Sequence, residues 1–267
     1  MKKIFVLTIC LGGSLFFAQA QTKGGGISKE MVQTFQKEQK HCAAGKALSN
    51  ALSGVSIDVL AKNYQAAATP LDKNFSIETR KQSIINQKSS GRCWMFSGLN
   101  VLLSNYTLQH DSVRFELSQA YLFFWDKLEK ANLMLQGVID TANEPIDNQR
   151  VQFFFHYPIS DGGTFCGVAD LAPKYGLVPA DVQPETYTSE NTSKARSLIA
   201  SKLREFGLQL RDMVAKKQKA SDIAKAKTEM LGQVYHMLEL TIGAPTQKFT
   251  YAFKDKNGKP LGQPKNR

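Results

Sequence analysis

Two stretches of this chain are dense enough in apolar residues at helical spacing to demand burial. In "CWMFSGLNVLLSNY", beginning at Cys93, the spacing runs through Trp94, Phe96, Leu99 and Leu103. "ELSQAYLFFWDKLEKANLMLQGVI" is apolar nearly all round its first two turns, which predicts a buried helix, and Ser118 supplies an N-cap. "FCGVADLAPKYGLVP" predicts a helix ending at Gly176, where glycine permits a left-handed cap. Residues 192 to 216 and 219 to 241 predict two long helices forming an antiparallel pair. Near the start, Ser28 caps a helix over "KEMVQTFQKEQ", with Glu30 two positions on.

Between these elements the pattern weakens. "NALSGVSIDVLAKN" is a short, partly apolar segment interrupted by glycine. Residues 64 to 85 read as irregular, with Pro70 and a short strand-like "NFSIETR". "VQFFFHYPISDGG" is an apolar run ended by a turn. The tail "KFTYAFKDKNGKPLGQPKNR" begins as an alternating strand and turns at Asn257-Gly258, a strong hairpin pair. Its return strand meets Pro260, Pro264 and the last residue, so the expectation is a chain that stops mid-fold with an aggregation-prone sheet edge.

The first twenty residues read as a signal peptide rather than as part of the fold. "MKK" is a charged leader, "IFVLTICLGGSLFF" an apolar run and "AQA" a small-residue cleavage site, so the mature chain is expected to begin near Gln21. The run is short for a membrane span, and no small residue just precedes Cys10 to suggest a lipid anchor. The expectation is an exported protein, periplasmic or secreted, with no membrane association after cleavage. The 267 residues, 42% hydrophobic, suffice for one large domain over 21–267 or two small ones.

Cleavage leaves three cysteines, Cys42, Cys93 and Cys166, an odd number that leaves at least one thiol unpaired. A Cys42–Cys166 disulfide would leave Cys93 free, but the spacing does not demand that pairing. No Cys/His spacing matches a metal site, since His41 beside Cys42 is an isolated pair, and no cofactor is expected. The two leader lysines reduce the formal charge from +11 to +9. Between residues 191 and 230, ten Lys/Arg face four Asp/Glu. That excess fits either a nucleic-acid footprint or the solvated face of amphipathic helices, and the lack of interleaved aromatics favours the second.

The candidate chemistry lies in "NQKSSGRCWMF", residues 86 to 96. Cys93 stands where a polar turn gives way to an apolar helix. Unpaired backbone N–H groups and the helix dipole favour negative charge at such a position, and the thiolate is the nucleophilic form. Acyl transfer also needs donors aimed at a developing oxyanion. The Cys93 N–H can supply one and the Gln87 amide the other, if the turn folds back. Gly91 would let the backbone pass close to a substrate. Against this stand the plain readings of Cys93 as a small core hydrophobe and Gln87 as a surface turn residue.

"NQKSSGRCWMF" resembles the nucleophile segment of papain-like cysteine peptidases, most closely the bleomycin hydrolase/aminopeptidase C family. "LSQAYLFFWDKLEKAN", "SDGG" at 160 to 163, "KYGLVPADVQPETYTSENT" and "PTQKFTYAFKDKNGKP" resemble further family blocks in the same order, from about Ile27 to the end of the chain. The resemblance implies an incomplete α+β papain-like fold. Its parts would be a helix-rich N-terminal lobe, a helical insertion at about 190–243 and the start of the β-rich lobe. It implies a cysteine-type aminopeptidase acting on peptide N-termini, with Cys93 as nucleophile, Gln87 in the oxyanion hole and Gly162-Gly163 lining the substrate cleft. Phe165-Cys166 depart from the bulkier aromatic and acidic residues the family often has there, which puts the adjoining subsite in question.

A cysteine peptidase also needs an imidazole and an Asn or Asp to orient it. His236 follows Cys93 by 143 residues, a spacing found in papain relatives, yet "GQVYHMLELTIG" has helical spacing and matches a family helix that does not carry the base. His156 lies in an apolar run, His110 on a polar stretch and His41 beside the N-terminal helix. In the family the catalytic histidine and asparagine lie beyond the length of this chain. The expectation is therefore an N-terminal portion, negligibly active alone. Two alternatives remain open: a non-catalytic peptide-binding remnant, and a basic nucleic-acid-binding protein. The family resemblance further implies hexameric rings in intact members.

Overall fold

The computed structural model describes residues 26–38, 43–110 and 113–266. The expected leader, His41 and Cys42, and with them the Cys42–Cys166 pairing, lie outside the described residues. The chain divides into two compact units, Met1–Asn74 and Phe75–Arg267.

The first unit holds α1 (Lys29–Glu38), α2 (Ala43–Gly54), α3 (Ile57–Leu60) and α4 (Tyr64–Ala68). Ser28 starts α1 as expected, its Oγ accepting the Met31 N–H at 3.2 Å. Asn63 does the same for α4 through Ala66 at 3.0 Å. No described residue of this unit is buried, so capping and propensity, not a core, define its helices.

The second unit is helical, with one short sheet. Its elements are α5 (Cys93–Gln109), α6 (Gln119–Asp140), α7 (Gln149–His156), α8 (Phe165–Tyr175), α9 (Tyr187–Glu190), α10 (Ser193–Ala215) and α11 (Ala220–Ile242). The chain then forms β1 (Thr250–Tyr251) and β2 (Lys265–Asn266). The centre is α6, packed against α5, α7, α8, α10 and α11. It buries Leu122, Phe124, Leu135 and Val138 completely, which is why its apolar residues surround it rather than forming a stripe. Ser118 caps it, its Oγ accepting from Tyr121 N–H at 3.1 Å while donating to Gln183 O at 2.6 Å. The pair α10 and α11 lies against α6 through Leu203, Leu210, Val234 and Leu238, joined by a tight turn with Lys217 at φ 52°.

Three expectations change in detail. "NFSIETR" forms no strand: residues 74–80 run as irregular chain with Phe75 and Ile77 exposed, because the alternation finds no pairing partner. The run at 151–156 becomes helix α7, capped by Asn148 on Arg150 N–H at 2.9 Å, with Val151 buried and Phe154 and Phe155 against the core. Gly176 does end α8, but at φ 81°, ψ −175°, an extended conformation open to glycine and not the left-handed helical one.

The tail returns further than its prolines suggest. Gly258 turns at φ 79°, Asp255 N–H reaches Lys259 O at 2.8 Å and Leu261 N–H reaches Phe253 O at 2.7 Å. A kink with Gly262 at φ 93° then lets residues 265–266 pair antiparallel, Thr250 with Asn266 and Tyr251 with Lys265. Pro260 is tolerated because it faces Lys254 in a non-hydrogen-bonded pair, where the flanking bonds come from Leu261 and Asp255 and no N–H is needed at 260. The expected half-made hairpin is a closed, bulged one.

Candidate active site

Residues 86–92 fold into a loop that closes on itself. Asn86 Oδ1 accepts the Lys88 N–H at 2.8 Å, holding Lys88 at φ 54°. Ser90 Oγ donates to Gln87 O at 2.6 Å, and Gln87 Nε2 donates to Ser90 O, also at 2.6 Å. This reciprocal pair folds Gln87 back toward the start of α5, the turn the sequence required for a donor six positions before Cys93.

Cys93 is the first residue of α5 and is exposed, so the reading as a core hydrophobe fails. Arg92 occupies the N-cap position, where its carbonyl accepts from Met95 N–H at 2.8 Å and Phe96 N–H at 3.0 Å. Its side chain makes no capping bond, being turned instead to Glu185. The first N–H groups of any helix lack an intrahelical carbonyl, and here that end carries the thiol.

Cys93 and Gln87 line one groove of about 790 Å³. Its floor is a single face of α5, where Cys93, Phe96, Ser97, Asn100 and Val101 recur at three- and four-residue intervals. Its other wall is residues 79–87, pinned along the helix by Ser104 Oγ to Arg80 O at 2.9 Å and Gln82 Nε2 to Thr107 Oγ1 at 3.0 Å.

Gly162 and Gly163 do not line that groove. They sit beside the residue that follows Cys93. Trp94 Nε1 donates to Asp161 O at 2.8 Å, and a Cβ on Gly163 would lie 2.6 Å from the Trp94 ring. Lys130 Nζ, 5.3 Å from the Trp94 ring centroid, holds Gly162 O at 2.7 Å. Gly91 has an internal reason for being glycine: its Cβ would meet that of Asp161 at 2.8 Å.

Asp161 is the hub of this region. Its carboxylate pairs with Lys127 at 2.8 Å, accepts from Thr192 Oγ1 at 2.7 Å and lies 3.7 Å from Arg196. Burial pushes the Asp161 carboxyl up, but Lys127, Thr192 and Arg196 together outweigh it and hold the group below the ordinary carboxylate range. Lys127 is buried too, and burial pulls its ammonium down to about 8 despite Asp126 and Asp161 beside it. For Asp126 burial prevails over Lys127 and Lys130, and its carboxyl is raised. Among the described residues, no group of three or more His, Cys, Asp or Glu side chains is arranged to hold a metal ion.

Comparison with known proteins decides the family. A sequence model of the Peptidase C1-like family matches residues 26–262. The chain belongs to the Peptidase C1-like family. Within it, the chain is 37% identical over 233 residues to aminopeptidase C of Lactobacillus delbrueckii subsp. lactis, which covers 87% of this chain and 51% of that protein. It is 36% identical over 183 residues to bleomycin hydrolase of Gallus gallus, 68% of this chain and 40% of that protein. The crystal structure of PepW from Lactobacillus rhamnosis HN001 superposes with a TM-score of 0.81 at 36% identity, covering 91% of this chain and 53% of that one. The fold is therefore papain-like, represented here by its helix-rich part. The chain spans about half the length of the curated relatives it matches.

The described histidines of this family member all lie away from the groove. His110 follows the last residue of α5, about 25 Å along the helix from Cys93, and stacks on Tyr106 at 4.2 Å. His156 ends α7, and His236 is an exposed α11 residue with Nδ1 3.5 Å from Glu239. Cys166 is a free, exposed thiol on the first turn of α8, next to the exposed Phe165. Sequence reasoning missed Arg92, Glu185, Ser90 and Lys127. The only hint was an arginine inside an otherwise small and polar turn, because a partner 93 residues away leaves no local mark.

Proposed function

We propose that this chain carries the nucleophile half of a cysteine-type aminopeptidase site. Cys93 would attack the first peptide carbonyl while the Cys93 N–H and the Gln87 amide receive the oxyanion. The observation that carries the reading is the shared groove: an exposed thiol at a helix start, and a side-chain amide that lines the same groove. The names of the relatives, aminopeptidase C and bleomycin hydrolase, support the substrate class. Gly162-Gly163, braced on Trp94, would form the neighbouring wall of the substrate cleft.

The 267-residue chain assayed alone is expected to hydrolyse peptides negligibly. The histidines at 110, 156 and 236 occupy other places, so the imidazole that protonates a leaving amine would come from beyond the described residues. Export to the periplasm or the medium, and a hexameric assembly of the full enzyme, are further parts of the reading. The leader-like residues 1–20 motivate the first, and the family resemblance the second.

The test is covalent capture plus turnover. An aminoacyl chloromethyl ketone should alkylate Cys93, seen by mass spectrometry, and Cys93→Ser should abolish the adduct. A fluorogenic aminoacyl amide should meanwhile show no turnover above background. Capture at Cys166 in place of Cys93 would overturn the nucleophile assignment, and turnover at rates normal for an aminopeptidase would overturn the expectation of inactivity.

A further inference from the structure

The loop that presents Gln87 is held from behind by a buried arginine. Arg92 has no solvent exposure, and its Nη1 donates to both carboxylate oxygens of Glu185, at 3.0 and 2.9 Å. The guanidinium carbon lies 5.1 Å from the Phe96 ring centroid and 5.2 Å from that of Phe123. Glu185 is itself fixed by the Ser189 hydroxyl, within the capping box that Thr186 and Ser189 form at the start of α9. A planar guanidinium held through both Nη1 and Nε, with two aromatic rings close by, has one orientation, which a flexible ammonium would lack.

That orientation reaches the site. Arg92 Nε donates to Ser90 Oγ at 3.0 Å. Because a guanidinium only donates, Ser90 must accept from it, and its single hydroxyl proton is directed to Gln87 O, 2.6 Å away. Ser90 O in turn takes one of the two Gln87 Nε2 hydrogens. The other amide hydrogen is left for the groove that Gln87 shares with Cys93.

We propose that Arg92, locked by Glu185, is a positioning residue that acts through Ser90 to aim the Gln87 amide at an oxygen bound beside Cys93. The proposal rests on the reading of Gln87 as an oxyanion donor. A purely structural arginine would hold the fold together without affecting oxygen recognition.

A peptide aldehyde separates these roles. When Cys93 adds to it, the sulfur–carbon bond forms, the carbonyl π pair moves onto oxygen, and the thiol proton ends there, so binding depends on donors around that oxygen. Alkylation by iodoacetamide displaces iodide and needs no such donor. Both are measured on the full chain, the aldehyde by its protection of Cys93 from iodoacetamide. Ser90→Ala and Arg92→Lys should each weaken the aldehyde about tenfold, with iodoacetamide rates within about twofold of the unsubstituted chain. Adding Arg92→Lys to Ser90→Ala should change little more, as expected for two links of one relay. Ser90→Ala keeps the Arg92–Glu185 pair, so it decides the matter if Arg92→Lys does not fold. If Gln87→Ala weakens the aldehyde but neither Ser90→Ala nor Arg92→Lys does, the proposal for Arg92 falls while Gln87 stands. Equal losses in aldehyde affinity and iodoacetamide rate would also overturn it, as a structural effect. No effect of Gln87→Ala, or no protection in the unsubstituted chain, overturns both readings.

Discussion

At Gly163 a single missing methyl group decides the local geometry. A Cβ there would sit 2.6 Å from the Trp94 ring, whereas one on Gly162 would meet nothing within 4 Å. Gly163→Ala should therefore destabilise the chain by about 2 kcal/mol and disturb Trp94 fluorescence, while Gly162→Ala should do neither; urea titration with emission spectra checks both. The two glycines look equivalent in the sequence, and only the ring packed against one of them separates their roles. That Cys93 and Gln87 share one groove was legible for the opposite reason. Their relation is local, carried by six residues of turn and a helix start, so the motif contains the geometry. Arg92 and Glu185 meet across 93 residues, and pairing at that range is set by the packing of whole helices.

The helices were legible wherever burial imposed a period. The core of α6, the pair α10 and α11 and the cap at Ser118 follow from apolar spacing and one hydroxyl. Ser118 does more than cap, since it also satisfies Gln183 O, and both groups are buried. Ser118→Ala should cost about 2 kcal/mol, measured by urea unfolding: roughly half for the lost cap and half for the carbonyl left without its partner. The pattern failed where tertiary partners decide. "NFSIETR" alternates like a strand but has no neighbour, and the phenylalanines of α7 form no clear stripe because Phe153 stays exposed while its neighbours face the core. The basic stretch over α10 and α11 acquires a structural explanation. Arg204 holds Phe155 O at 2.8 Å, Arg211 holds Thr141 O at 2.9 Å, and Lys216 pairs with Asp212 at 2.7 Å. Those cations brace helices, so part of the basic excess serves the fold itself.

For the molecule as a whole, the buried charges behind the site give stability a defined pH dependence. Lys127 has a folded value near 8 against an ordinary 10.5, so between those values the unfolded chain binds the extra proton and stability rises with pH. Tyr251 is shifted the other way, to about 12 from 10, by burial and by Asp181. Between 10 and 12 the folded chain keeps a phenol proton the unfolded one loses, so stability falls. Urea titrations should therefore show a maximum near pH 10, with Lys127→Met flattening the rise and Tyr251→Phe the fall. A monotonic loss of stability above pH 8 in the unsubstituted chain would contradict the assignment.

The proposed site turns on Cys93, which, unlike the likewise exposed Cys166, shares its groove with the Gln87 amide proposed as an oxyanion donor. The most direct measurement is the ratio of acylation rates at the two thiols by an aminoacyl active ester, resolved by peptide mass spectrometry, before and after Gln87→Ala. Acylation should concentrate at Cys93 in the unsubstituted chain and drop about a hundredfold at that site alone in the variant. Equal acylation of Cys93 and Cys166, or a ratio untouched by Gln87→Ala, would contradict the proposed site.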